Sequence, residues 1–100
     1  MSFKPPQSVR AAAKRGLELR RKHGRGGTAV GVARARDLSS GRSISANTIK
    51  RMSSYFARHA VDAQGKNWNN KKSPSAGKIA WLLWGGNAGR TWANSRKKKI

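Results

Sequence analysis

Cysteine is absent from this 100-residue chain, and acidic residues nearly so. The first absence excludes disulfides, a thiol nucleophile and a cysteine-ligated zinc site. Only Glu18, Asp37 and Asp62 stand against 23 lysines and arginines. The longest apolar run, Ile79 to Trp84, is far shorter than the roughly 20 residues that a membrane span needs, and the N-terminal residues lack the apolar block of a secretory signal. We therefore expect no membrane association.

Groups that could carry out catalysis are scarce as well. Besides hydroxyls and lysines, the chain offers three acids and the two histidines His23 and His59. His59 and Asp62 are three residues apart and could form half of an acid–base pair, but an Asp62 that balances nearby arginines is the simpler interpretation. A two-metal nuclease would favour several carboxylates that converge on one site, but no two acids of this chain are close in sequence. We expect no enzyme, cofactor, metal site or small-molecule substrate.

Positive charge is what the chain has in excess, with a formal net charge of +20. Isoleucine, leucine, valine and phenylalanine together number only 15, which falls under the roughly 20% that marks disorder-prone chains of high net charge. The four tryptophans act in the other direction, because each can bury about 150–250 Å². The few apolar residues therefore predict a thin core. Because a compact domain with this charge repels itself, we expect a polyanionic partner to stabilise the fold.

Capping signals predict an all-α fold, a small bundle of four to five short helices with flexible basic termini. Residues 1–7 are predicted to be a flexible arm, 8–95 a single helical domain and 96–100 a basic tail. The predicted helices run from the Ser8 cap to about His23, from the Thr28 cap to about Leu38, from the Ser45 cap to about Ala63, from the Ser73 cap before Pro74 to Trp84, and from the Asn87 cap onward.

The second and third predicted helices also match a loose helix-turn-helix. Their connection is longer than the usual three to four residues, and a plain antiparallel helical hairpin fits equally well. In the motif, the first residues of the second helix reach base edges or phosphates in the major groove. Asn47, Thr48, Lys50 and Arg51 would be those readers.

Phosphate contacts need only lysine, arginine, small polar groups and helix N-termini, and the chain is rich in these. The leading contact surface is a polar stripe of the third helix that contains Thr48, Arg51, Tyr55 and Arg58. The full set of predicted nucleic-acid-binding residues is Arg10, Lys14, Arg21, Lys22, Arg25, Arg34, Arg36, Asn47, Thr48, Lys50, Arg51, Arg58, Lys97, Lys98 and Lys99.

The tryptophans divide into two groups. Trp81, Trp84 and Trp92 sit at helical spacing with apolar neighbours, so we expect them in the core. Trp68 is isolated among asparagines and lysines, and either anchors its loop or forms a stacking platform for a base. The glycine-rich residues 24–27 are predicted to be a flexible linker rather than a phosphate cradle, and they lack the spacing of a P-loop.

Four stretches of the chain are distinctive as sequences: residues 15–28, 32–38, 51–59, and 75–86 with its tryptophan-glycine block. They resemble a short domain that recurs in tailed bacteriophage genomes, both alone and within larger proteins, and the resemblance spans about residues 9–94. That family has no settled activity, so the resemblance implies a phage origin and no mechanism. Ala60 and Asn87 stand where family members often carry an acid, which makes this chain more cationic and favours a bulk electrostatic role.

The sequence therefore predicts a small basic phage protein that binds nucleic acid mainly through backbone phosphates. DNA is the expected partner in preference to RNA, and the virion or the host cytoplasm is the expected location. The alternative is a virion structural or cement protein whose positive surface docks on acidic capsid or connector subunits. A third hypothesis, a sequence-specific regulator, requires a preferred site and a dimer.

Overall fold

Five α-helices account for most of the chain in the computed structural model, which describes residues 2–100. In chain order, the elements are β1 (Ser2–Phe3), α1 (Gln7–His23), α2 (Ala29–Ser39), β2 (Ile44–Ser45), α3 (Ala46–His59), a 3₁₀ turn (Ala60–Gln64), α4 (Ala76–Leu83) and α5 (Gly86–Lys97). The fold is all-α, as the capping signals and the apolar spacing predict.

Helix α4 is the centre of the bundle and packs against all of the other helices. It is the most apolar helix, and Ile79, Trp81 and Leu83 are buried on it. The apolar residues of α3 recur at helical spacing and face the same core, where Ile49, Met52 and Phe56 are among the residues that solvent does not reach. The core is thin but continuous from α1 to α5.

Two predicted helix starts are confirmed by side-chain caps. The Thr28 hydroxyl accepts a hydrogen bond from the Gly31 amide at 3.4 Å, and the Ser45 hydroxyl accepts one from the Thr48 amide at 3.2 Å. Ile44, just before the second cap, is buried. These caps satisfy amides that the first helical turn leaves unpaired.

The other three predicted caps are wrong. Helix α1 begins after Pro6 without a side-chain cap at Ser8. Helix α4 is capped by Ser75, whose hydroxyl accepts from the Lys78 amide at 3.1 Å, whereas the Ser73 amide donates to the Asn70 side chain. Helix α5 begins at Gly86, so Asn87 lies inside it. Its side-chain oxygen accepts a hydrogen bond from Trp81 Nε1 at 2.9 Å.

The predicted mobile arm is in part ordered. Ser2–Phe3 pairs antiparallel with Ile44–Ser45, with Phe3 opposite Ile44. Phe3 packs against the core and Pro5 is buried, which holds the N-terminal segment on the start of α3. At the other end, α5 continues through Lys97 and so includes the first residues of the predicted tail.

The helix-turn-helix prediction does not describe how these helices pack. Helix α2 packs mainly on α1 and then on α4, while α3 packs mainly on α5. The connection between them forms strand β2, which pairs with β1. Helices α2 and α3 are therefore neighbours in sequence that lie on different partners, and not a packed recognition pair.

Close approach of α1 to α4 depends on Gly16. A Cβ atom at this position would lie 2.7 Å from the Leu83 amide nitrogen and 2.9 Å from the Leu82 carbonyl carbon, which is backbone that cannot easily move. The glycine-rich linker lies against the same helix, since Gly26 and Gly27 have φ of +102° and +76° and a Cβ on either would overlap α4 side chains. The predicted flexible linker is thus a packed segment.

Candidate nucleic-acid interface

A groove of about 780 Å³ opens between the start of α2, the outer face of α3 and the first half of α4. We call it the α3 groove. Its cations are Lys50, Arg51 and Arg58, its buried floor includes Tyr55 and Trp84, and the exposed Val30 lies on its α2 side. Helical spacing places Arg51, Tyr55 and Arg58 on one face of α3, because residues three, four and seven apart are neighbours on a helix.

The three cations of the α3 groove are exposed and without carboxylate partners in the described residues 2–100. The same part of the chain pairs Asp37 with Arg34 at 3.9 Å and with Arg42 at 3.8 Å. Acids are so few that most of the basic residues have none to pair with. The groove therefore presents positive charge that the protein itself does not neutralise.

Three aromatic rings form a stack beneath the groove, which we call the ring column. The Tyr55 ring lies 4.5 Å from the Trp84 ring at 7° and 4.5 Å from the His59 ring at 27°. Two rings cannot both stack on the same face at this separation, so they lie on opposite faces of Tyr55. The Arg34 guanidinium lies over the Trp84 ring, 5.4 Å from its centre, which is within cation–π range.

Tyr55 is not part of an exposed stripe, contrary to the sequence interpretation, because only 5% of the residue is exposed. Its hydroxyl is buried and has no hydrogen-bond partner within residues 2–100, which is uncommon for a buried polar atom. Burial, with a smaller effect from the negative Asp62, raises the pKa of Tyr55 well above its usual value of 10.0. The hydroxyl therefore stays protonated at neutral pH.

His59 and Asp62 do form a pair at one end of the groove, which is the alternative that the sequence interpretation did not favour. His59 Nδ1 lies 3.1 Å from Asp62 Oδ2, and the two side chains are 42% and 33% exposed. Asp62 pairs with this histidine, and not with an arginine as the simpler interpretation had it. Its carboxylate also packs on Gly77, where a Cβ would come within 3.4 Å of Asp62 Cγ. Across the described chain, no cluster of three or more histidines and acids could hold a metal ion.

Several predicted contact residues have structural partners instead. The Arg34 side chain is only 13% exposed and lies between Asp37 and Trp84, and burial lowers its pKa. The Arg25 guanidinium donates to the Ser73 hydroxyl and the Pro74 carbonyl oxygen, both at 2.9 Å, and so holds the linker to the entrance of α4.

Arg10 and Thr48 are also partly used by the fold. The Arg10 guanidinium packs on the turn at Gly41, and its buried Nε has no partner in the described chain. The Thr48 hydroxyl lies 3.1 Å from the Ser45 hydroxyl that caps α3. These two residues contribute to the turn and to the cap around β2.

The remaining predicted cations are exposed but dispersed. Lys14, Arg21 and Lys22 project from α1 and Arg36 from α2, and none of them lines the α3 groove. Lys14 instead lines a shallow depression on α1 that also contains Glu18.

The C-terminal lysines lie toward the beginning of α3. Helices α3 and α5 are antiparallel, because Phe56 faces Gly89 while the Ser53 hydroxyl donates to the Asn94 side chain at 2.7 Å. This register brings the end of α5, followed by Lys98 and Lys99, toward the exposed Asn47. The tail thus extends the positive field beyond one end of α3.

The core tryptophans are as predicted, with Trp81, Trp84 and Trp92 no more than 8% exposed. Trp68 is half-buried and packs edge-to-face on Trp81, with the ring centres 5.6 Å apart, so it anchors its loop. Sequence reasoning missed Lys78, whose ammonium lies 4.8 Å from the centre of the Trp68 ring. A lysine within an otherwise apolar helix is the signal that could have drawn attention to it.

No family model, curated protein or solved structure matches the chain. The resemblance to the phage domain therefore remains a prediction from the sequence. Within residues 2–100, none of the helices is both long and apolar enough to cross a bilayer. The charge of the chain and the geometry of the α3 groove are therefore the features that bear on function.

Proposed function

We propose that this protein binds nucleic acid mainly through backbone phosphates and that the α3 groove is its principal contact surface. The observation that carries the proposal is that three exposed cations, Lys50, Arg51 and Arg58, line one groove and have no carboxylate within 4.0 Å among residues 2–100. They belong to a chain with a net charge of +20, which attracts polyanions over a distance before any contact forms.

Phosphate neutralisation supplies the binding energy in this proposal. Each phosphate that a lysine or arginine neutralises releases condensed counterions from the nucleic acid. Three contacts in the groove would make the logarithm of the association constant for duplex DNA fall by about 2.7 for each tenfold rise in salt. Any contacts by the C-terminal lysines or by α1 add to that slope.

DNA is the partner that we propose, in the setting that the phage resemblance implies. Such a protein would accompany packaged or replicating DNA in the virion or in the host cytoplasm. Two features favour contacts without base readout. The chain's positive charge is spread over several helices, and α2 and α3 do not pack as a recognition pair.

A salt series of binding measurements tests the proposal. Fluorescence anisotropy with labelled duplexes of unrelated sequence should give similar affinities. The logarithm of the association constant should fall with the logarithm of salt concentration with a slope of about −2.7 or steeper. Absence of binding at 20 mM salt would refute it. If the protein instead joined purified capsids in stoichiometric amounts on their exterior, the structural or cement role would be supported.

A further inference from the structure

The ring column ends at His59, where Tyr55 is the one aromatic ring that stacks on the imidazole among the residues that the structure describes. We infer that this outer face of His59 is a stacking site for an unpaired nucleobase, and that the α3 groove accepts a single strand of nucleic acid. The inference rests on the proposed function and adds the form of the nucleic acid that the groove takes.

Part of the His59 side chain remains open to solvent, although two protein groups contact it. Tyr55 covers the inner face at 4.5 Å, and Asp62 occupies the Nδ1 edge at 3.1 Å. Even so, 42% of the side chain is exposed. With one face and one edge occupied, the remaining exposure lies on the face that points away from Tyr55 and on the free edge.

The imidazole is held in place before any ligand arrives. The stack on Tyr55 fixes the plane of the ring, and the hydrogen bond to Asp62 fixes its rotation within that plane. Asp62 is itself packed against the backbone of α4 at Gly77. A base that stacks on His59 would therefore lose its own freedom but would not have to order the protein.

The groove supplies phosphate contacts beside this ring. Arg58 is adjacent to His59 in the chain, and Arg51 lies eight residues before His59, which is about 12 Å along the helix. A volume of about 780 Å³ lies within the range of pockets that enclose small organic ligands. Aromatic faces flanked by cations are the usual means of binding single strands, because every base has a flat face whatever its sequence.

A duplex cannot use the His59 face in the same way. Its bases are stacked on each other and paired, and removing one from the stack costs a few kcal/mol. The phosphate contacts of Lys50, Arg51 and Arg58 are open to both forms of nucleic acid, whereas the ring face rewards only an unpaired base. Preference for single strands is the property that separates this inference from simple charge attraction.

The test compares His59→Ala with His59→Phe, which keeps a flat ring. Affinities are measured by anisotropy for a 12-nucleotide single strand, for the same strand with abasic sites, and for the matching duplex. We expect His59→Ala to weaken single-strand binding by roughly 5- to 150-fold, the range for losing one stacked base. His59→Phe should retain most of that affinity, and duplex binding should change little in either variant.

A second readout does not depend on affinity. A single strand with one 2-aminopurine should lose fluorescence on binding the wild type and His59→Phe, and should lose less with His59→Ala at saturation. The inference is overturned if His59→Ala binds single strands as the wild type does, if it weakens duplex and single strand equally, or if the abasic strand binds as tightly as the intact one. Failure of the wild type to bind any of the three at low salt would instead overturn the proposed function.

Discussion

Replacing Arg51 and Arg58 by alanine removes two of the three cations of the α3 groove without touching its floor. Both side chains are exposed, and neither has a carboxylate within 4.0 Å in the described part of the chain. The substitutions therefore leave no buried charge unpaired, and alanine is the best helix former. We expect the double variant to fold as the wild type does and to bind nucleic acid more weakly.

The size of the loss follows from counterion release. Each phosphate contact on a duplex contributes about 0.9 to the logarithmic salt slope, so the two substitutions should make the slope shallower by about 1.8. Relative to 1 M salt, each contact raises the association constant at 0.1 M salt by a factor of about 8, and the pair raises it by a factor of about 60. The loss should be similar for unrelated duplex sequences if the arginines touch phosphate. If either arginine reads a base, the substitution should instead relax the sequence preference at one position of the duplex.

The matched control is Arg21→Ala with Arg36→Ala, which removes the same charge from α1 and α2, outside the groove. Anisotropy titrations at several salt concentrations should show a smaller change in both affinity and slope for this control. If both double variants lose affinity equally, the whole molecule acts as a diffuse cation and the α3 groove is not the contact surface. If neither loses affinity, that face of α3 has no part in binding.

Three further predictions concern the fold. Gly16→Ala should destabilise the protein in urea unfolding by up to about 2 kcal/mol, because overpacking against the Leu83 backbone costs about 1–3 kcal/mol and alanine regains about 1 kcal/mol of helix propensity. A variant more stable than the wild type would contradict the close approach of α1 and α4. Ser75→Ala should cost about 1 kcal/mol as a lost cap, while Ser73→Ala should cost less, and the reverse order would show that the helix begins earlier. Burial, and then the charge of Arg25, lowers the pKa of His23 from 6.5, so protonation favours the unfolded state and stability should fall as the pH drops below 6.5. The melting temperature of His23→Gln should fall less than that of the wild type between pH 8 and pH 5, and parallel curves would refute the assignment.

Features set by neighbouring residues could be predicted from the sequence. The caps at Thr28 and Ser45 depend on contacts three residues away, and the apolar spacing of α3 describes a face that is buried. The cap of α4 could not be placed in the same way. The Ser73 amide donates a hydrogen bond to the Asn70 side chain within the preceding turn, and Ser75 caps the helix instead. The position of the cap therefore depends on the conformation of the whole loop.

The candidate site was predictable only in part, because its parts come from separate segments. The positions of Arg51 and Arg58 follow from helical spacing. Tyr55 shares that spacing, but Trp84 from α4 covers it, and nothing local in α3 indicates this. The ordering of Ser2–Phe3 likewise depends on a strand about 40 residues away.

The scarcity of internal ion pairs gives dissolved salt two opposite effects on this protein. Added ions screen the repulsion among its unpaired cations, so the free protein should become harder to unfold as ionic strength rises. The same ions compete with its contacts to phosphate, so the complex should come apart over the same range. Stability of the free protein and occupancy of the complex should therefore be measured at matched ionic strength, since buffer conditions that help one will harm the other.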